Sequence, residues 1–385
     1  MSTPTPKNQM TRRQFLARTG ALGALGLSLP AFLAACGGSD SSSGGGSESL
    51  FFDNWPLYVD PTADGLTGTV DRFMAATGVA MTYGEGYNDN NEYFAKIQPL
   101  LGNGKPIEAD IIAPTFWMAG RLINLGWTEK LPKDQIPNFA NIEDVYVNPT
   151  WDPTGEYSMP WQAGTAGIAY NIDVTGREIK SVADLFDPEF KGKIGMLTEM
   201  RDTIGLICLS LGIDISTITS FDDAAPAFEK LAQAKNDGQI RAFTGNDYTD
   251  DLVSGNFAAC VGWSGDVLQL GKDSPNVRFV IPEEGGTRWC DTMILPKGVK
   301  NGSAAAKWMD FCYDPVQAAQ ITQYVQYLSP VKGVRDELAK LDPELAENPL
   351  LFPDDATNAR LRAFATLAED VEAKFDEEFS AITGA

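Results

Sequence analysis

Aromatic rings and carboxylates recur at the expected ends of strands in this chain. Trp55 and Tyr58 follow the first apolar run, Leu50–Phe52. Thr115, Phe116 and Trp117 follow Asp110–Ala113, and Thr198, Glu199 and Asp202 follow Lys193–Leu197. Trp263, Ser264 and Asp266 follow Phe257–Val261. A second extended segment carries Trp289 and Asp291, and a later helix leads to Tyr324, Tyr327 and Ser329. Basic residues are few in this set, chiefly Arg201 and Arg288. Such a pattern suits an organic cation. Carboxylates neutralise ammonium groups, more strongly where water is partly excluded. Tryptophan faces add cation–π attraction of about 0.5–2 kcal/mol each. Structural roles compete with this reading. The rings could be core, Asp202 and Asp266 could cap helices, and Arg201 or Arg288 could neutralise a neighbouring acid.

The chain has no histidine. That removes the commonest general base, the histidine-based nucleophile dyads and the usual zinc ligand. The GWSGD run at 262–266 lacks the spacing of a nucleophile elbow. Residues 89–92 are polar but lack the glycine and spacing of a calcium loop. No metal site and no cofactor are expected.

The elements that must position these residues follow from pattern. Val70, Phe73 and Met74 mark a helix stopped at Gly78. Val79–Tyr83 reads as a strand, Glu92–Leu101 as a helix, and Phe116–Leu125 as a helix ending at Gly126. This βαβα alternation implies a parallel sheet with flanking helices. After the Pro/Asn-rich stretch Leu131–Pro153 comes one long extended segment, Tyr157–Asn171. The alternation then restarts, with helices at Asp202–Leu211 and Pro226–Ala234 and strands at Phe257–Trp263 and Val277–Ile281. Trp289–Leu295 is a second extended segment. Helices follow from Ser303 and Pro315, and Ala356–Phe375 reads as a terminal helix. Two α/β blocks joined by two extended segments predict two lobes, a hinge and a ligand cleft. In open α/β sheets ligands bind beyond the carboxyl ends of strands.

The N-terminus carries Thr11-Arg12-Arg13-Gln14-Phe15-Leu16, a twin-arginine export pattern. A charge-free apolar stretch follows, too short for a stable span. Leu33-Ala34-Ala35-Cys36 matches the bacterial lipobox pattern, in which the cysteine is acylated and the leader is cut just before it. Residues 1–35 are therefore read as a signal peptide and Cys36 as a lipid anchor to the outer face of the cytoplasmic membrane. Residues 36–48 form a Gly/Ser tether. Removing the four basic residues of the leader takes the formal charge from −22 to about −26. That surface repels nucleic acid, whose binding rests on Lys and Arg. Roughly 335 residues remain, enough for two domains. Cys208, Cys260, Cys290 and Cys312 show no CxxC spacing and lie in apolar contexts, as small core residues do. Export of a folded chain leaves disulfides a minor part of its stability.

Several long stretches occur in one order: FFDNWPLYV, EYSMPWQAGTAGIAYN, SVADLFDPEFKGKIGMLTE, CVGWSGDVLQ, PEEGGTRWCDTMILPKGVKN and Ala346–Pro353. Across nearly all of residues 50–350 the chain resembles the solute-binding proteins of polyamine (spermidine/putrescine) ABC importers. The resemblance implies a type II periplasmic-binding-protein fold, α/β with two lobes, two hinge crossings and a cleft that closes on ligand. It places the aromatic box on Trp55, Tyr58, Trp117, Trp263, Trp289 and Tyr327. The ammonium-binding acids fall on Asp291, on Glu199 or Asp202, and on Asp266 as in putrescine-type members. The loop Thr198–Thr203 is one residue shorter than the family's pattern, and Trp117 stands where Tyr or Ser is usual. One lobe is expected over 49–162 plus about 290–336, the other over 163–289 plus about 337–385. The expected partners are a polyamine, an ABC permease and, through Cys36, the membrane, with the protein itself a monomer and not an enzyme. A different cationic or zwitterionic amine is the nearest alternative, and a carboxylate-pair glycosidase a distant one.

Overall fold

A computed structural model describes residues 48–384 except 64, 88, 89 and 246, with the side chain of Lys272 also set aside. The expected signal peptide, Cys36 and nearly all of the expected tether lie outside the described residues.

The strands form one eleven-stranded mixed sheet. In chain order they are β1 (Ser49–Asp53), β2 (Ala80–Gly84), β3 (Ile111–Ile112), β4 (Thr128–Glu129), β5 (Ser158–Asn171), β6 (Ile194–Leu197), β7 (Ile240–Thr244), β8 (Ala259–Trp263), β9 (Val277–Val280), β10 (Gly286–Pro296) and β11 (Leu361–Ala363). The spatial order is β2-β1-β3-β10-β5-β8-β6-β7. β1 runs parallel to β2 and β3, and β6 runs parallel to β7 and β8. Between these parallel blocks lies the antiparallel pair β5 and β10. These are the two long extended segments, and together they join the blocks, β10 next to β3 and β5 next to β8. β10 meets β3 at Ile294 and β11 at Gly286–Arg288. β5 meets β8 through Ala166–Tyr170. Every residue of β5 is buried, as expected of a strand covered on both faces.

Helices cover both blocks: α1 (Thr69–Thr77), α2 (Asn90–Leu101), α3 (Phe116–Asn124), α4 (Met200–Ser210), α5 (Phe221–Asn236), α6 (Tyr248–Ser254), α7 (Ser264–Asp273), α8 (Gly302–Cys312), α9 (Pro315–Val325), α10 (Val334–Leu341) and α11 (Glu369–Thr383). α1 ends on Gly78, whose φ of 72° lies in the left-handed region that glycine adopts without steric cost. α9 begins with Asp314 accepting from the Val316 and Gln317 N–H groups, with Pro315 at its first position. The first block is centred on edge-on contacts among Phe52, Phe73, Trp161 and Trp308. The second is centred on Phe221, Phe228, Phe364 and Phe375.

Two features differ from expectation. The stretch read as one terminal helix, Ala356–Phe375, divides into a turn at Asp355–Asn358, strand β11 and helix α11. Sheet pairing to Gly286–Arg288 and burial of Phe364 override the helical period there. β7 and α6 were not anticipated, because Arg241 and the polar run after Thr244 interrupt any simple period. As the apolar contexts predicted, Cys208, Cys260, Cys290 and Cys312 are all buried free thiols. Burial pushes the Cys208 thiol up to about 12, the behaviour of an inert core residue. Among the described residues no helix is long and apolar enough to cross a membrane.

Candidate functional site

The site assembles at the ends of β1, β3, β6 and β8 and along β10. Its first node is Asp291, 3% exposed. β5 and β10 slip register here, Gln162 pairing Asp291 and Pro160 pairing Thr292, so that Trp161 is an extra residue in β5. Such bulges bend a strand and re-aim its side chains. Asp291 accepts from the Tyr58 hydroxyl at 2.9 Å and the Thr115 hydroxyl at 2.7 Å. Thr115 is itself set by Asn90, whose Nδ2 donates to its Oγ1 at 2.8 Å. Burial pushes the Asp291 carboxyl up to about 7, and the two hydroxyl donors offset only part of the shift.

Asp266, in the first turn of α7, forms the second node. Its Oδ1 accepts from the Tyr327 hydroxyl at 3.0 Å and its Oδ2 from the Tyr248 hydroxyl at 3.2 Å. The Tyr248 oxygen also accepts from the Trp263 backbone N–H at 3.1 Å, which fixes its donor direction. Asp202, in the first turn of α4, is the third node. It accepts from Trp263 Nε1 at 2.8 Å and Thr287 Oγ1 at 2.5 Å. Burial raises its carboxyl, against the pull of those two bonds and the charge of Arg201. The cap of α4 falls to Glu199, which accepts from the Arg201 N–H, so Asp202 does not cap its helix. Asp266 does not cap α7 either, whose N-cap residue is Trp263.

Rings join the nodes. Tyr58 and Tyr327 lie 6.0 Å apart between centroids, Tyr327 and Trp289 5.0 Å, and Tyr248 and Trp263 5.9 Å. Trp55 packs on Tyr87 at 4.9 Å and donates its Nε1–H to the Ala113 carbonyl. Trp55, Tyr58, Asp202, Trp263, Asp266, Trp289, Asp291 and Tyr327 thus share one connected network. Trp117 and Glu199 belong to another group, around Arg201. Its guanidinium lies 3.8 Å over the Trp117 ring, 3.9 Å from Glu199 and 2.8 Å from Glu372.

Sequence reasoning missed Tyr248, Thr287, Asn90 and Tyr87. Tyr248 follows β7, so the strand-end rule finds it once that strand is recognised. Thr287 stands two residues before Trp289 on the same strand. Tyr87 lies between β2 and α2 and Asn90 opens α2, where no strand-end signal marks them.

Two glycines make room for the rings. A Cβ on Gly164 would sit 2.3 Å from Trp289 Cζ2, and one on Gly265 2.4 Å from Tyr327 Cε1. Gly164 faces Trp289 directly across the β5–β10 pair. Gly164→Ala is expected to push the indole from its place at a cost of about 1–3 kcal/mol, as overpacking does. A lower thermal midpoint with altered tryptophan emission is the expected reading. An unchanged melt would show that the ring moves freely.

Chemically, three buried carboxylates each accept from two neutral donors and are linked by aromatic faces. An entering ammonium would bring opposite charge to acids already oriented to receive it.

Residues 68–353 match the family model described as bacterial extracellular solute-binding protein. The chain is 27% identical over 312 residues to the spermidine/putrescine-binding periplasmic protein of Escherichia coli K12, covering 81% of this chain and 85% of that protein. It is 27% identical over 337 residues to a putrescine/cadaverine-binding protein of Pseudomonas aeruginosa, covering 83% and 89%. Among solved structures it superposes on the spermidine/putrescine ABC transporter substrate-binding protein of Streptococcus pneumoniae with a TM-score of 0.74. That pair is 25% identical and covers 88% and 99% of the two chains.

Proposed function

The chain belongs to the bacterial extracellular solute-binding proteins, and from that membership we propose that it captures a polyamine and delivers it to an ABC importer. The observation that carries the reading is the set of buried carboxylates, Asp291, Asp266 and Asp202, held by neutral hydroxyl and indole donors and joined by aromatic rings. Ammonium groups pair with the acids. The alkyl chain between them packs on Trp55, Trp289, Tyr58 and Tyr327. The relatives whose names carry spermidine, putrescine or cadaverine support the same ligand class.

No chemical step is involved. Residues 49–162 with about 290–336 form one lobe, and residues 163–289 with about 337–385 form the other. β5 and β10 are the crossings about which the lobes close, so ligand shifts the population toward the closed form. Cys36 tethers the protein, as a monomer, to the outer face of the membrane beside its permease. Calorimetry with putrescine, cadaverine and spermidine tests the reading. Heat saturating at one ligand per chain is expected, and no heat at millimolar amine would sink it.

A further inference from the structure

Trp117, expected in the aromatic box, and Glu199, the alternative to Asp202 among the expected ammonium-binding acids, instead surround a cation of the protein's own. The Arg201 guanidinium stacks 3.8 Å over the Trp117 ring. Its Nη1 lies 3.9 Å from Glu199 Oε1, and its Nη2 donates to Glu372 Oε1 at 2.8 Å. Arg201 is 5% exposed, and its Nε is buried without an acceptor among the described residues. Ring face and carboxylates are what a bound organic cation would receive, and here they are already in use. Glu372 comes from α11, whose Phe375 is packed among Phe221, Phe228 and Phe364, so the guanidinium is held from behind by a rigid element.

Resting on the polyamine reading above, the geometry points to Arg201 as a built-in cation that closes this end of the site and selects a diammonium ligand over a longer triammonium one. Asp291 and Asp266, bridged by the Tyr58–Tyr327 contact and flanked by Trp289, are the acids a diammonium ligand would span. Asp202 differs from them in following Arg201 directly and feeling its charge, so a ligand ammonium gains less there. A third ammonium reaching toward Glu199 would find that carboxylate and the Trp117 face already engaged by Arg201.

The test is competitive calorimetry with 1,4-diaminobutane, 1,8-diaminooctane and spermidine. The unaltered protein is expected to bind 1,4-diaminobutane at least tenfold tighter than either longer amine. Arg201→Met combined with Glu372→Gln removes the cation and its principal counter-charge together. It is expected to shift the preference at least tenfold toward spermidine. Equal or tighter binding of spermidine or 1,8-diaminooctane by the unaltered protein overturns the inference, whether or not the double variant folds. So does an unchanged preference in a folded double variant. Tight binding of all three amines would leave the polyamine reading standing and remove this inference alone. Binding of none would remove both.

Discussion

Asp291→Asn is expected to weaken polyamine binding at least tenfold, about 1.4 kcal/mol, while the unligated fold persists. The substitution keeps the side-chain shape. An amide still has an oxygen for one of the two hydroxyls, and its NH2 can donate to the other, since hydroxyls also accept. Tyr58 and Thr115 therefore keep partners, and Asn90 continues to orient Thr115. What disappears is the negative charge, at a place only 3% exposed where Coulomb attraction is little screened. Removing one side of a buried charge pair commonly costs more than the tenfold floor stated here. Calorimetry gives the affinity, and a thermal melt without ligand gives the fold. Unchanged affinity would remove Asp291 from the site.

The placement of Asp291 shows how far the sequence could be read. Strand ends were legible, because Leu50–Phe52, Asp110–Ala113 and Phe257–Trp263 are short apolar runs followed by polar or aromatic turns. That legibility brought out Trp55, Trp117 and Trp263 as candidates, whereas Asp291 stood out on the extended segment Trp289–Leu295. Pairings across the fold were not legible. Asp202 meets a Trp263 indole 61 residues away, and Arg201 meets Glu372 at a separation of 171. Both depend on how α4 lies against β8 and α11, which local pattern does not encode. The same gap explains α11 itself. A helical period runs through Ala356–Phe375, yet β11 forms within it because the edge of β10 offers hydrogen bonds that no local signal announces. It also explains Trp117. Its position after a strand suggested a ligand wall, and only tertiary packing reveals that Arg201 covers it.

The affinity for amine should fall steeply as pH drops below about 7, by about tenfold per unit if Asp291 alone responds. In the unligated protein burial holds this carboxyl at about 7, so at pH 6 most molecules carry it neutral. An ammonium requires the ionised form, and binding then releases a proton. Calorimetry in two buffers of different ionisation enthalpy should show that release near neutrality, and Asp291→Asn should abolish it. Asp202, raised by the same burial, acts in the same direction. Among the described residues Tyr87 and Cys290 also feel Asp291, beside its donor Tyr58, and both are pushed up by burial and neutral across this range. For stability the sign is opposite. A carboxyl whose folded pKa is raised binds more protons folded than unfolded between about 4 and 7. Its contribution is fully present below the unfolded value and is lost as pH rises toward 7. As far as this group decides, the unligated protein should therefore melt lower at pH 8 than at pH 5. Ligand reverses the effect, because the ammonium replaces the proton as the partner of Asp291. The rise in melting temperature on adding amine should be larger at pH 8 than at pH 6, and Asp291→Asn should flatten the difference. A ligand-induced rise independent of pH would mean that the charge on this carboxyl plays no part in binding.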